Sequence, residues 1–220
     1  MHFHIITLFP KAFSSYLGES IIKRSIEDNK IKVSFYNPRD FTKDKHKRID
    51  RPPYAGGPGM VIQAEPVIKA VEAALKRTKN KKQKTKKINT KIIFLSPRGK
   101  QFTNDYAGKI VGKYKHVILI CGRYEGIDAR VKKIFKVEEI TVGPFVLTGG
   151  ELPAMFILDV VARQVPGVLG NIDSIEERRV ASSEVYTRPE VFIYKSKKYR
   201  VPKILLSGHK AKIEEWKKKK

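Results

Sequence analysis

The chain is 220 residues long and 41% hydrophobic, which fits one ordinary domain plus a small appendage and excludes wholesale disorder. Lysine and arginine number 46 against 22 acidic residues, a net charge of +24 that attracts polyanions, whether nucleic acid or an anionic membrane surface. The single cysteine, Cys121, excludes an intrachain disulfide framework or a cysteine-built zinc site and suits a reducing, cytoplasmic setting.

The opening run, MHFHIITLFP, lacks a basic leader and a small-residue cleavage site, so residues 1–9 read as a buried first strand rather than a signal peptide. No stretch is long enough to span a membrane. An amphipathic helix is predicted over 13–28, and IKVSFYNP alternates as a second strand. Residues 41–60 carry Pro-Pro, Gly-Gly and Pro-Gly pairs and form a loop. A helix follows near Pro66, and the low-complexity basic run 76–91 reads as a surface loop or, alternatively, a phosphate clamp. Three apolar strands come next, in KIIFLSPRG, HVILICGRYEG and EEITVGPFVLTGG, with helical segments between them and the apolar helix ELPAMFILDVVARQV after them. Strand–helix alternation predicts an α/β fold with a mostly parallel sheet and helices on its faces. The predicted organisation is a domain over 1–170, an exposed linker over 171–186 and a short helical C-terminal region over 187–220.

Each of the three later strands ends in a glycine- or proline-bearing turn. In open α/β sheets ligands bind outside the carboxyl ends of the strands, so the three turns together predict a pocket. Neither a Gly-x-Gly-x-x-Gly fingerprint nor a Walker A motif is present, which excludes the ordinary dinucleotide and P-loop sites. His2, His4, His46, His116 and His209 show no metal-ligand spacing and read as surface or structural histidines; no metal site is predicted.

The segments RPPYAGGPGM, CGRYEGIDAR, LTGGELPAM, VARQVPGVLG, YTRPEV and LLSGHKAKIEEW occur in this order along nearly the whole chain. Together they resemble the bacterial tRNA (guanine-N1)-methyltransferases of the SPOUT class. The resemblance implies a deep trefoil knot in the C-terminal part of the α/β domain, a homodimer with each active site at the interface, and S-adenosylmethionine as methyl donor. It implies N1 of guanosine-37 in tRNA, next to the anticodon, as the acceptor. It places cofactor contacts on Phe94, Leu95, Ser96 and Pro97; on Gly122, Tyr124, Glu125 and Gly126; and on Val142, Gly143, Phe145, Leu147, Gly149, Gly150 and Pro153. A magnesium requirement is expected from the resemblance alone.

Arg163 matches the family's arginine at the end of the VAR helix. Guanine N1 carries a proton at neutral pH, so methylation needs a general base, and charge then builds on O6, where a guanidinium stabilises it. The family places an aspartate base in the linker; counting from Arg163 without gaps, that position is Arg178, which stays protonated. A one-residue slip makes Glu177 the base, with Glu176 next and Asp173 and Glu184 farther away. Other departures are Arg51 for an acid, Ala55 for a glycine, Pro144 for an acid, and a C-terminal region shorter than the family's tRNA-gripping helical domain. Two other readings fit the same features: a SPOUT-like RNA-binding protein that has lost catalysis, and a SPOUT methyltransferase acting on ribosomal RNA.

Overall fold

The computed structural model describes residues 1–54, 56–78, 89–170 and 184–219. The chain divides into two compact units, Met1–Gly170 and Asn171–Lys220.

The first unit opens with β1 (His2–Ile6), a 3-10 turn over Pro10–Phe13, α1 (Ser14–Leu17), α2 (Ser20–Glu27) and β2 (Lys32–Tyr36). The helix expected over 13–28 is therefore broken. Gly18 ends α1, and Ser20 adopts φ +49°, a conformation no α-helix continues through. β3 (Asp50–Arg51), inside the predicted loop, pairs antiparallel with β4 (Val61–Ile62), just beyond its end. Then come α3 (Ala64–Thr78), β5 (Thr90–Gln101), α4 (Asn104–Lys113), β6 (His116–Ile120), α5 (Arg130–Ile134), β7 (Glu138–Thr141) and α6 (Glu151–Gln164). Of the basic run 76–91, only the ends fall among the described residues.

The main sheet has the order β2-β1-β6-β5-β7, and every pairing in it is parallel. Alternate residues face opposite sides, and both sides are covered. Phe3, Ile5, Val117 and Leu119 pack with Ala107 and Ile110 of α4 and with Ala154, Ile157, Leu158 and Val161 of α6. Ile6, Ile118 and Ile120 pack on the other face with Val67, Ala70, Val71 and Ala74 of α3. These helices bury positions spaced three and four apart, so each apolar stripe lies along one side. Each fully buried aliphatic or aromatic side chain contributes roughly 1.5–3 kcal/mol. Because the strands are parallel, the carboxyl ends of β5, β6 and β7 lie at one edge, and that edge holds the three turns.

The second unit contains a hairpin, β8 (Val191–Tyr194) with β9 (Lys197–Arg200), then α7 (Lys203–Leu206) and α8 (Lys210–Lys218). The C-terminal region expected to be helical thus carries two helices and, ahead of them, a hairpin that the sequence reading did not anticipate. Its two-residue turn, Lys195-Ser196, has φ +46° and +65° without glycine or asparagine, so the usual hairpin signature is missing from the sequence. Among the described residues, no helix is long and apolar enough to cross a membrane.

Candidate active site

The three strand-end turns converge on one cavity of about 580 Å³, within the range typical of small-molecule sites. The first turn, Ser96-Pro97-Arg98-Gly99, is a bulge in β5. Leu95 and Lys100 both register with Ile140 of β7, so the four residues between them bulge out of the ladder, and Ser96, Pro97 and Arg98 line the cavity. Gly99 permits this, since a Cβ there would collide with the Ile140 backbone.

The second turn follows β6. Cys121 N–H donates to the Ile6 carbonyl at 3.0 Å, and Gly126 N–H donates to the Arg123 carbonyl at 2.9 Å, closing the loop over Tyr124. Tyr124 sits at φ +58° and projects outward, half-exposed. Glu125 N–H donates to the Met60 carbonyl at 3.0 Å, which ties the glycine-rich loop 56–60 to the cavity wall. Asp128, not Glu125, serves the entry of α5: its Oδ1 accepts from Arg130 N–H at 2.9 Å.

The third turn runs from β7 into α6. Thr141 Oγ1 donates to the Gly143 carbonyl at 2.8 Å, and Gly150 N–H donates to the Gly122 carbonyl at 2.9 Å. Gly150 lies so near the second turn that a Cβ on it would sit 2.6 Å from Cys121 Cα. The turns thus meet backbone to backbone, and amides and carbonyls line the cavity together with apolar walls.

Of the cofactor contacts expected from the sequence, all but Gly143 line this cavity; Gly143 lies behind the ring of Phe145, which a Cβ on it would strike. Among residues the sequence reading missed are Arg123, Lys132, Glu139 and Thr148. Lys132 Nζ and Glu139 Oε1 pair at 2.9 Å, and Lys132 also stands over the Phe94 ring. Both are surface-type residues in sequence; only the adjacency of α5 and β7 brings them to the cavity. Arg123 Nε donates to Glu151 Oε2 at 2.8 Å and Nη1 to the Thr148 carbonyl at 3.3 Å. Glu151 also accepts from Thr7 Oγ1 at 2.7 Å. Cys121 is buried beneath the turns, and burial pushes its thiol well above the ordinary range, so it is no nucleophile here.

Arg163 is half-buried in the last turn of α6 and does not line the cavity. It follows the cavity-lining Pro153 by ten helical residues, roughly 15 Å along the axis. Glu176 and Glu177 lie outside the described residues.

The structure also gathers three histidines that look scattered in sequence. His2 and His4 lie on one face of β1, His2 is in register with His116 on β6, and their ligand atoms all fall within 4.8 Å of one another. Both ring nitrogens of His4 are engaged, by Tyr36 Oη at 2.9 Å and His116 Nδ1 at 3.1 Å. Burial first, then the neighbouring histidines, Arg77 and Lys32, hold His4 down to about 3. The surroundings are cationic, which disfavours a bound cation, and the trio reads as a neutral hydrogen-bonded cluster.

A family model described as "tRNA (Guanine-1)-methyltransferase TrmD" matches residues 1–220. The chain is 44% identical over 219 residues to a tRNA (guanine-N(1)-)-methyltransferase of Thermomicrobium roseum, covering 98% of this chain and 77% of that one. It is 44% identical over 224 residues to the protein of that name from Caldanaerobacter subterraneus, covering 100% and 86%, and 41% identical over 221 residues to that of Clostridioides difficile, covering 98% and 90%. With a cavity at its strand ends built from the segments that carry the resemblance, and a family match along its whole length, the chain belongs to the tRNA (guanine-1)-methyltransferase family.

Proposed function

We propose that this chain transfers the methyl group of S-adenosylmethionine to N1 of guanosine-37 in tRNA, with the cofactor held in the cavity at the carboxyl ends of β5, β6 and β7. The observation that carries this reading is the convergence of three turns, distant in sequence, on one cavity of about 580 Å³ in a chain of this family. The cavity fits such a molecule. Phe94, Leu95, Val142 and Leu147 offer apolar walls for an adenine, the turns offer backbone donors and acceptors for its edges, and Glu125 offers negative charge. The close backbone approach at Gly150 and at Gly99 supports reading the turns as a knotted crossing.

When bound, S-adenosylmethionine supplies an electrophilic methyl group on a sulfonium. Glu125 favours the cationic end of the cofactor, and the opposed charges of Lys132 and Glu139 suit a zwitterionic amino-acid moiety. A linker carboxylate, Glu177 ahead of Glu176, takes the N1 proton, and Arg163 stabilises the charge that then builds on guanine O6. Arg163 stands about 15 Å along α6 from Pro153, the cavity's own helix contact, and does not line the cavity, which supports a second copy of the chain bringing its arginine to the acceptor. Exposed Leu152 and Phe156 on α6, with Phe145 and Val146 beside the cavity, support a homodimer joined at this face.

Magnesium has no evident cage. Among the described residues, the grouping of three potential metal ligands is the histidine trio, whose nitrogens do not suit a hard, oxygen-seeking ion. No step is assigned to it.

The test is transfer of labelled methyl from S-adenosylmethionine to an unmodified tRNA transcript, with a transcript carrying adenosine at position 37 as control. Wild type labels only the guanosine-37 transcript, and Glu177→Gln loses at least ~100-fold in turnover. Cofactor binding without labelling of any tRNA defeats the proposal.

A further inference from the structure

The hairpin of the second unit has a surface that the catalytic reading leaves unused. Every residue from Phe192 to Arg200 is exposed, including Phe192 (58%), Ile193 (60%), Tyr194 (54%) and Tyr199 (48%). An isolated two-stranded hairpin has little intrinsic stability, and a cluster of bare aromatic side chains on one needs a reason.

Pairing fixes which side chains share a face. Phe192 is opposite Tyr199, and Tyr194 is opposite Lys197. One face therefore presents Phe192, Tyr194, Tyr199 and Lys197; the other presents Val191, Ile193, Lys198 and Arg200. Lys195 and Lys197 each stand 5.5 Å from a ring centroid, those of Tyr194 and Tyr199 respectively. Between Val191 and Arg200 there are four cations and no acidic residue. Protein partners of ordinary mixed charge are poorly matched to such a surface, and a polyanion is well matched.

Spacing separates RNA from other polyanions. Phe192 and Tyr194 are two residues apart on one strand, about 6.6 Å, close to twice the ~3.4 Å thickness of a stacked base. A single unstacked base fits between two such rings. Sheet-borne aromatics with flanking cations are a general means of holding single-stranded RNA.

We infer that the β8–β9 hairpin is a stacking platform for unpaired tRNA nucleotides, with Phe192, Tyr194 and Tyr199 taking bases and Lys195 and Lys197, the cations beside the two tyrosine rings, taking phosphates. The inference rests on the proposed tRNA substrate, but it concerns grip rather than chemistry.

The experiment is filter binding of full-length protein to tRNA across a salt series, with competition by single-stranded and duplex RNA. Tyr194→Ala and Tyr199→Ala each raise Kd about 5- to 30-fold and leave the salt slope unchanged, whereas Tyr194→Phe stays near wild type. The double variant Lys195→Ala, Lys197→Ala lowers the salt slope by up to about two. Cofactor affinity is the same in all of them, which reports an intact first unit. Single-stranded RNA competes better than duplex.

Unchanged Kd in both tyrosine variants overturns the inference, as does hairpin-dependent binding to phosphatidylserine vesicles with none to tRNA. Hairpin-dependent tRNA binding by a wild type that transfers no methyl group defeats the proposed activity and leaves the platform standing. Normal methylation with an unchanged KM in the tyrosine variants does the reverse.

Discussion

Glu151, only 3% exposed at the first position of α6, holds Arg123 of the second turn at 2.8 Å while also accepting from Thr7 at the end of β1. Three segments far apart in sequence are fastened by one carboxylate directly under the cavity. Arg123 in turn holds the Thr148 carbonyl and stands 4.7 Å from the Phe9 ring centroid, so the third turn depends on the same pair. The negative charge also lies at a helix N-terminus, where the macrodipole favours it.

Removing that carboxylate therefore loosens the cavity. Glu151→Ala leaves Arg123 without its partner. A fully buried pair broken in this way loses ~3–5 kcal/mol, and because Arg123 is partly solvated the expected loss is smaller, about 1–3 kcal/mol in urea unfolding. Glu151→Gln keeps an acceptor for Thr7 and loses less. Both weaken cofactor binding through the displaced turn. An unfolding midpoint unchanged in Glu151→Ala contradicts this account.

Acidification acts elsewhere, at the start of β1. His4 is held down to about 3 and His2 to about 4, in both cases chiefly by burial, against an ordinary value of 6.5. Between those values the unfolded chain binds more protons than the folded one, so stability rises with pH. It is fully present above about 6.5 and declines as pH falls toward 3–4. Each such histidine contributes up to ~1.4 kcal/mol per pH unit in this window. His4→Gln cannot titrate and keeps hydrogen-bonding capacity for Tyr36; its plot of stability against pH is shallower by about one proton between pH 4.5 and 6. A slope equal to wild type's excludes His4 as the source.

Continuous apolar runs and strand–helix alternation made the parallel sheet legible, because strands such as HVILI are buried on both faces and helices such as ELPAMFILDVVARQ bury one apolar side. The cavity was legible through its turns. The features missed depend on neighbours rather than on local pattern. Lys132 and Glu139 reach the cavity only because α5 packs beside β7, and the histidine trio depends on β1 pairing with β6, more than a hundred residues away. The β8–β9 turn carries Lys-Ser where a glycine or asparagine would have signalled it.

Glu125 lines the cavity and is exposed, so its influence on a ligand is electrostatic and moderated by solvent. S-adenosylmethionine carries a sulfonium; its demethylated product carries a neutral sulfur. Glu125→Gln should lower affinity for the first by about three- to tenfold and leave the second nearly unchanged, with the difference shrinking as salt rises. Calorimetric titration with both ligands measures the ratio. Equal losses for the two mean that Glu125 shapes the cavity and does not read the charge.

The placement of Arg163 makes the last prediction. Within one copy it lies about 15 Å along α6 from the cavity's helix contact, so in the proposed dimer each cavity works with the partner's arginine. Arg163→Ala should then be nearly inactive, as should Glu125→Arg, which puts a cation in the cavity. Their defects fall on different copies. When the two variants are mixed in equal amounts and subunits exchange freely, half the dimers are mixed, and each mixed dimer has one intact cavity facing one intact arginine. Activity should recover to about one quarter of wild type, far above either parent. If the cavity and the arginine that serves it belong to the same copy, no intact pairing forms, and the mixture stays at the average of its parents whatever the exchange. The outcome reads the architecture of the site through turnover alone.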